Sequence, residues 1–274
     1  MMKLSLWKNR TVKDSKKIAE IAQARLVPGT TFINKSSQQD WYSPVMLGAG
    51  AISKMITNST QINLAKQHLQ ELEPDEYSKY MIGYYEEGLS RYGKNWGYAD
   101  IVTTLITLTQ VLQPRRYLEV GVRRGRSATA VGRISPNCKM TLLDMWISDY
   151  AGMENPGPDL VRAELEKVQH KGEVTFLDGD SHILLPQHFA RGPDVFFDLI
   201  TVDGDHSEQG ARQDIKDVTS RLNIGGAIVF DDISHPQHPE LSVVWNDMIV
   251  SAPNYSSWSY TEVGYGVGFA IRNW

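Results

Sequence analysis

A single cysteine, Cys138, stands among 274 residues, which excludes an intrachain disulfide framework and any cysteine-rich zinc site. No apolar run approaches the roughly 18 residues that a membrane helix needs. The basic start, MMKLSLWKNRTVKDSKK, lacks an apolar core of secretory length, so a signal peptide is not expected. There is no internal repeat and no low-complexity tract. With 41% apolar and 22% charged residues, the chain is neither disordered nor fibrous. An excess of positive charge is also missing: the net charge is −4. Residues 1–112 carry 13 basic and 10 acidic side chains, and residues 113–274 carry 15 and 22. Neither half has the basic footprint of a nucleic-acid binder. The expectation is a cytoplasmic protein without nucleic-acid or membrane partners. Its acidic second half suits a hard cation or a cationic ligand.

Sequence texture changes near residue 100. Beyond it, short β-rich runs at 116–120, 140–143, 174–177, 199–202 and 227–230 alternate with helical stretches at 127–133, 159–169, 182–189 and 208–222. Continuous apolar strands of this kind are buried on both faces of a parallel sheet. Asn223-Ile224-Gly225-Gly226 reads as a turn before the fifth strand. A further helix is expected at 241–250. Strands at 257–262 and 267–272, around Val263-Gly264-Tyr265-Gly266, make an antiparallel hairpin. The fold class is therefore α/β, a mostly parallel seven-stranded sheet ending in a hairpin. The first part differs. Helices are expected at 15–25 and 61–72, a break at 28–31, and a small-residue loop or helix start at 47–51. Tyr77, Tyr80, Tyr84 and Tyr85 share a helix, followed by Tyr92, Trp96 and Tyr98, and an apolar helix at 101–112 leads into the first strand. Residues 1–96 read as a helical cap serving substrate or dimer contacts, and residues 97–274 as the main domain.

The first strand ends Glu119-Val120-Gly121, followed by Val122-Arg123-Arg124-Gly125-Arg126-Ser127. A strand, a glycine turn and a helix start make a ligand crevice at the carboxyl ends of parallel strands. Gly121 would let a ligand approach the backbone, and Gly125 would let the helix pack on the strand. The spacing is G-x-x-x-G rather than the dinucleotide G-x-G-x-x-G, and the preceding carboxylate suits an amine or sulfonium better than a pyrophosphate. Asp144, at the end of the second strand, is placed to accept from both hydroxyls of a ribose. Met145 and Trp146 could then pack on an adenine ring. The third strand ends Asp178-Gly179-Asp180-Ser181, where polar groups could meet the adenine edge, or Asp180 or Ser181 could simply cap the helix at His182.

The fourth strand ends Asp203-Gly204-Asp205-His206 and the fifth Asp231-Asp232. Asp203, Asp231 and Asp232 converging on one edge would repel one another unless a cation such as Mg²⁺ lay between them; otherwise they are solvated strand-end acids. His206 is placed as a general base, or is an exposed loop histidine. His235 and His238 flank Pro236 as alternative bases or ligands. His170, His182 and His188 sit on or beside surface helices.

Glu119-x-Gly121, Asp144, Gly179-Asp180-Ser181 and Gly225-Gly226 resemble the class I S-adenosylmethionine-dependent methyltransferases over about residues 97–274. Asp203-Gly-Asp-His206 and Asp231-Asp232 resemble the catechol O-methyltransferase-like group and related natural-product methyltransferases. The resemblance implies a Rossmann-like domain. It implies that Glu119, Gly121 and Ser127 contact the methionine part, Asp144 the ribose and Ser181 the adenine, with Met145, Asp180 and Asp203 also lining the cofactor. It further implies Asp203, Asp231 and Asp232 as ligands of Mg²⁺ or another divalent cation. The catechol enzymes have a lysine base where this chain has His206.

The activity so implied is methyl transfer to a hydroxyl of a small molecule, with Asp203 and His206 catalytic. The segment from Tyr77 to Tyr98 and the region around Ala49 to Met55 are candidate substrate walls, although helical spacing equally suits packing on the sheet. Trp41 and Tyr42 are a candidate lid, and the exposed aromatics fit a homodimer. Three rivals stand beside this reading: a metal-independent N- or C-methyltransferase, a nicotinamide-dependent oxidoreductase, and a non-catalytic cofactor-binding subunit.

Overall fold

The computed structural model describes residues 45–148 and 154–274. The expected helix at 15–25, the break at 28–31 and the loop of Trp41 and Tyr42 lie outside them. Three helices come first: α1 (Ala49–Ile56), α2 (Ser59–Glu71) and α3 (Glu76–Tyr92). Then α4 (Ile101–Leu112) leads into β1 (Arg116–Val120), α5 (Arg126–Ile134), β2 (Lys139–Asp144), α6 (Pro158–Lys167), β3 (Val174–Asp178) and α7 (Ser181–Arg191). The chain continues through β4 (Phe197–Val202), α8 (Glu208–Thr219), β5 (Leu222–Asp231), α9 (Glu240–Trp245), β6 (Tyr255–Tyr260) and β7 (Val267–Arg272).

These strands form one seven-stranded sheet in the order β3-β2-β1-β4-β5-β7-β6. Strands β1 to β5 pair in parallel, while β7 runs antiparallel to both β5 and β6. Strand order reverses between β1 and β4, where open α/β sheets place their ligand crevice.

Side chains alternate across the sheet with period two. Tyr117, Leu142, Leu199, Val229 and Phe269 face a core shared with α1 to α6, including Ile52, Ile62, Leu69, Tyr85, Leu105, Val131 and Leu165. Leu118, Leu143, Ile200, Ile228 and Phe230 face a second core with Leu185, Ile215, Val244 and Trp245. Full burial of each large aliphatic side chain stabilises by about 1.5–3 kcal/mol. The apolar cluster is continuous from α1 through the sheet, so the first helices share a core with the strands.

Local signals fix the helix starts. Asp75 and Asp100 each make reciprocal capping boxes, with Ser78 and Thr103. Asn58, Asp180 and Ser207 cap α2, α7 and α8. Two expectations need correction. Residues 223–226 are not a turn before β5 but part of it, in a register shift opposite Phe197 and Leu199. The extra length is accommodated around Asp198, whose carboxylate accepts from Asn223 Nδ2 at 2.7 Å and Arg115 N at 2.7 Å. The helix expected over 208–222 ends at Thr219, since Leu222 already pairs with Phe197 in the sheet. Among the described residues no helix is long and apolar enough to cross a membrane.

Candidate active site at the carboxyl edge of the sheet

The turn after β1 is built on Gly121, whose φ is 87°. A Cβ there would lie 1.9 Å from the Asp203 carbonyl oxygen. Glycine is thus required by the neighbouring strand end, whatever ligand the turn meets. Asp203 N also donates to Val120 O at 2.8 Å, locking the ends of β1 and β4 together. Gly125 has a φ of 74°, and its Cβ would meet Val161 Cγ1 of α6 at 2.8 Å. The close packing that it permits is helix on helix, not the helix-on-strand contact expected from sequence.

Glu119 is fully buried, and its carboxylate accepts from Ser127 Oγ and, at 2.9 Å, from the Tyr117 hydroxyl. The same hydroxyl lies 2.8 Å from Thr201 Oγ1. Burial pushes the Glu119 carboxyl up to about 8 against the pull of these hydrogen bonds, with the charges of Asp203 and Asp144 adding to the rise. A cationic group brought alongside would favour its ionised form.

Asp144 accepts from four donors. Val122 N and Arg123 N reach Oδ2 at 2.8 and 2.7 Å. Trp146 N and Asn155 Nδ2 reach Oδ1 at 2.6 and 3.3 Å. Met145 beside it is exposed. Trp146 turns through a positive φ of 52° and donates from Nε1 to Asp178 Oδ1 at 2.8 Å. Asp180 caps α7 by accepting from His182 N at 2.9 Å. The Ser181 hydroxyl donates to Asp214 Oδ1 at 2.6 Å, on a carboxylate fully buried in α8. Sequence reading passed over Asp214; its one signal is an acid on the face that α8 buries through Ala211, Ile215 and Val218.

The ends of β4 and β5 bring Asp203, His206 and Asp232 together. Each offers one ligand atom, and these atoms lie within 4.8 Å of one another. His206 Nε2 is 3.5 Å from Asp203 Oδ1 and 3.7 Å from Asp232 Oδ2. Contact with Asp203 raises the imidazole pKa, which burial opposes. Burial, then the charge of Asp203, pushes Asp232 up to about 7, while His206 and Arg123 hold it down. Asp231 stands outside this set of three, but burial and the charges of Asp232 and Asp203 raise its carboxyl well above the usual range. Asp232 itself has a positive φ of 59°, a conformation that aspartate tolerates better than most residues. His238 and His235 extend the cluster, their rings 5.2 and 6.3 Å from that of His206, and His235 packs on Tyr265 at 4.2 Å.

The aromatic segment divides. Tyr84, Tyr85, Trp96 and Tyr98 pack together, and Tyr98 meets Tyr260 of β6. Tyr80 and Tyr92 are exposed. Tyr77 lies instead beneath the Arg126 guanidinium, 4.8 Å from its ring centroid, at the start of α5. Arg126 also pairs with Asp75, the cap of α3.

Residues 118–233 match the family described as Methyltransferase domain. This stretch runs from β1 to the loop after β5 and carries every strand-end acid named above. Among solved structures, the chain is similar to an O-methyltransferase from Bacillus cereus in complex with SAH, at 19% identity and a TM-score of 0.50. That match covers 62% of this chain and 79% of the other. It is also similar to the O-methyltransferase TomG from Streptomyces achromogenes, involved in tomaymycin synthesis and solved with SAM. There the identity is 20% and the TM-score 0.52, over 74% of this chain and 92% of the other. At such identities the likeness is one of fold. No curated protein matches the chain.

The match to a methyltransferase domain therefore covers residues 118–233, on a sheet that shares its fold with these two O-methyltransferases. The matched stretch is preceded in the chain by α1 to α4.

Proposed function

We propose that the chain transfers a methyl group from S-adenosylmethionine to a hydroxyl oxygen of a small molecule, with a divalent cation held at Asp203 and Asp232. The observation that carries this reading is the convergence of Asp203, His206 and Asp232 beside the Gly121 turn. Two neighbouring carboxylates are a fitting donor pair for such an ion, whose other positions water can fill, leaving His206 free to act as base, and Asp231 is the neighbouring acid whose charge the ion would also offset. When bound, the cation would lower the pKa of an acceptor hydroxyl beside it. The buried Glu119 carboxyl suits the positive charge of the donor. The similarity to O-methyltransferases, one of them in natural-product synthesis, supports the same acceptor type.

In this reading the chain's own residues position and deprotonate. Glu119, Gly121 and Ser127 take the methionine part; Met145, Asp180 and Ser181 take the nucleoside, with Asp144 ordering the turn after β1 and the loop after β2 around it. The acceptor oxygen forms a bond to the methyl carbon as the carbon–sulfur bond breaks, giving S-adenosylhomocysteine. The hydroxyl proton goes to His206 Nε2, a role worth about 10²–10⁴ in rate. Alignment of the three atoms supplies much of the remainder. In this reading residues 1–96 are the cap, and Tyr77 of α3, which packs on Arg126 and feels the charges of Asp231 and Asp232, is its candidate contact with the acceptor.

The test is methyl transfer to a panel of phenols, sugars and polyketide alcohols, following S-adenosylhomocysteine release and product mass. Transfer to oxygen is expected to stop in EDTA and return with Mg²⁺. Asp203→Ala is expected to abolish turnover while S-adenosylhomocysteine still binds. Undiminished turnover in EDTA and in Asp203→Ala would overturn the cation, and a methyl group on nitrogen or carbon would overturn the acceptor.

A further inference from the structure

The four donors on Asp144 leave it no room. A carboxylate offers about four acceptor positions, and Val122 N, Arg123 N, Trp146 N and Asn155 Nδ2 occupy that number. A nucleoside hydroxyl arriving at the end of β2 therefore meets a saturated acid.

Asn155 lies against the same acid with an acceptor to spare. Since a carboxylate only accepts, the Asn155 amide must turn its NH₂ to Asp144, which leaves Oδ1 on the other side. That oxygen is buried and has no hydrogen-bond partner among the described residues. A buried carbonyl without a partner is costly, and a ligand hydroxyl would supply the missing donor.

Its position is also held from behind. Glu154, the preceding residue, pairs with Arg124 Nη1 at 3.4 Å. Arg124 is only 7% exposed and is braced by Asp75 at 3.3 Å and Glu73 at 3.5 Å. Its own turn binds Asp144 through the two backbone N–H groups. Turn, acid, amide and guanidinium thus close a circuit around Asn155.

We propose that Asn155 is a further donor-binding residue, whose Oδ1 accepts a hydrogen bond from a ribose hydroxyl of the methyl donor. This rests on the donor reading above. It assigns to a loop residue the spare acceptor that Asp144 lacks.

The experiment is calorimetric titration of the full chain and of Asn155→Ala with S-adenosylhomocysteine and its 2′-deoxy and 3′-deoxy analogues. Asn155→Ala is expected to bind S-adenosylhomocysteine about tenfold more weakly, the size of one net hydrogen bond. One of the two hydroxyl deletions should cost the wild type about tenfold and cost Asn155→Ala almost nothing. Glu154→Gln, which alters an exposed side chain, should weaken S-adenosylhomocysteine a few-fold without changing the thermal midpoint of the unliganded protein. Equal deletion penalties in wild type and Asn155→Ala at both positions would overturn the assignment. Failure of the wild type to bind S-adenosylhomocysteine at all would instead overturn the donor reading.

Discussion

Gly121 and Asp203 touch backbone to backbone across β1 and β4, so closely that a methyl group on Gly121 would lie 1.9 Å from the Asp203 carbonyl oxygen. The turn proposed for the donor and the acid proposed for the cation are thus one rigid joint. Gly121→Ala meets both this collision and a positive φ. The expected loss is about 3 kcal/mol or more in urea unfolding, with S-adenosylhomocysteine affinity falling in parallel. A variant of wild-type stability would show that the joint yields easily.

Glu119 sets a pH dependence. Its carboxyl is pushed up to about 8 in the folded protein, above its ordinary value of 4.5. Between those values the folded chain keeps a proton that the unfolded chain has lost. The contribution is therefore complete below about 4.5 and disappears as pH rises through about 8. Wild-type stability should fall with rising pH across this window more steeply than that of Glu119→Gln. Equal slopes for the two proteins, measured by urea unfolding at pH 5 to 9, would contradict the assignment.

Asp75 does two jobs, capping α3 and neutralising Arg124 and Arg126. Asp75→Ala is expected to cost more than the ~1 kcal/mol of a lost cap, moving toward the ~3–5 kcal/mol of a broken buried pair. Asp75→Asn keeps a capping oxygen and should recover the smaller share. If Asp75→Ala loses only the value of a cap and Asp75→Asn loses nothing, the ion pairs contribute nothing measurable.

A divalent cation should stabilise the folded chain. Mg²⁺ or Mn²⁺ at about 100 times its Kd is expected to add about 2.7 kcal/mol in thermal unfolding. Asp203→Asn and Asp232→Asn should each remove most of that gain. A thermal midpoint that ignores both ions would count against cation binding at these acids.

Much of the sheet was legible because its central strands are buried on both faces and written as unbroken apolar runs, as at Ala227 to Phe230. The hairpin followed from glycine spacing around Tyr265. Asn223 to Gly226 misled, because a Gly-Gly pair signals a turn locally, whereas the bulge depends on Asp198 across the sheet. Asp203, His206 and Asp232 could be gathered from sequence because strand ends of a parallel sheet share one edge. Which of Asp231 and Asp232 turns toward His206 depends on the left-handed backbone at Asp232, which no pattern announces. Asn155 could not be read at all. Its meaning lies in Asp144 already being full, and that emerges only once the turn after β1 is folded against it.

The apolar slab joining α1 and α2 to the strands bears on how acceptor choice can be changed. Ile52, Ile62 and Leu69 are as deeply enclosed as Leu105 or Leu199. Deleting the early helices would uncover hydrocarbon that the strands cannot hide, and exchanging them for those of another enzyme would set two mismatched surfaces together. Under the methyl-transfer proposal, acceptor preference is better altered by single replacements of Tyr77, which packs on Arg126 within reach of the charges of Asp231 and Asp232 and lies outside the shared core, so that the interior stays whole.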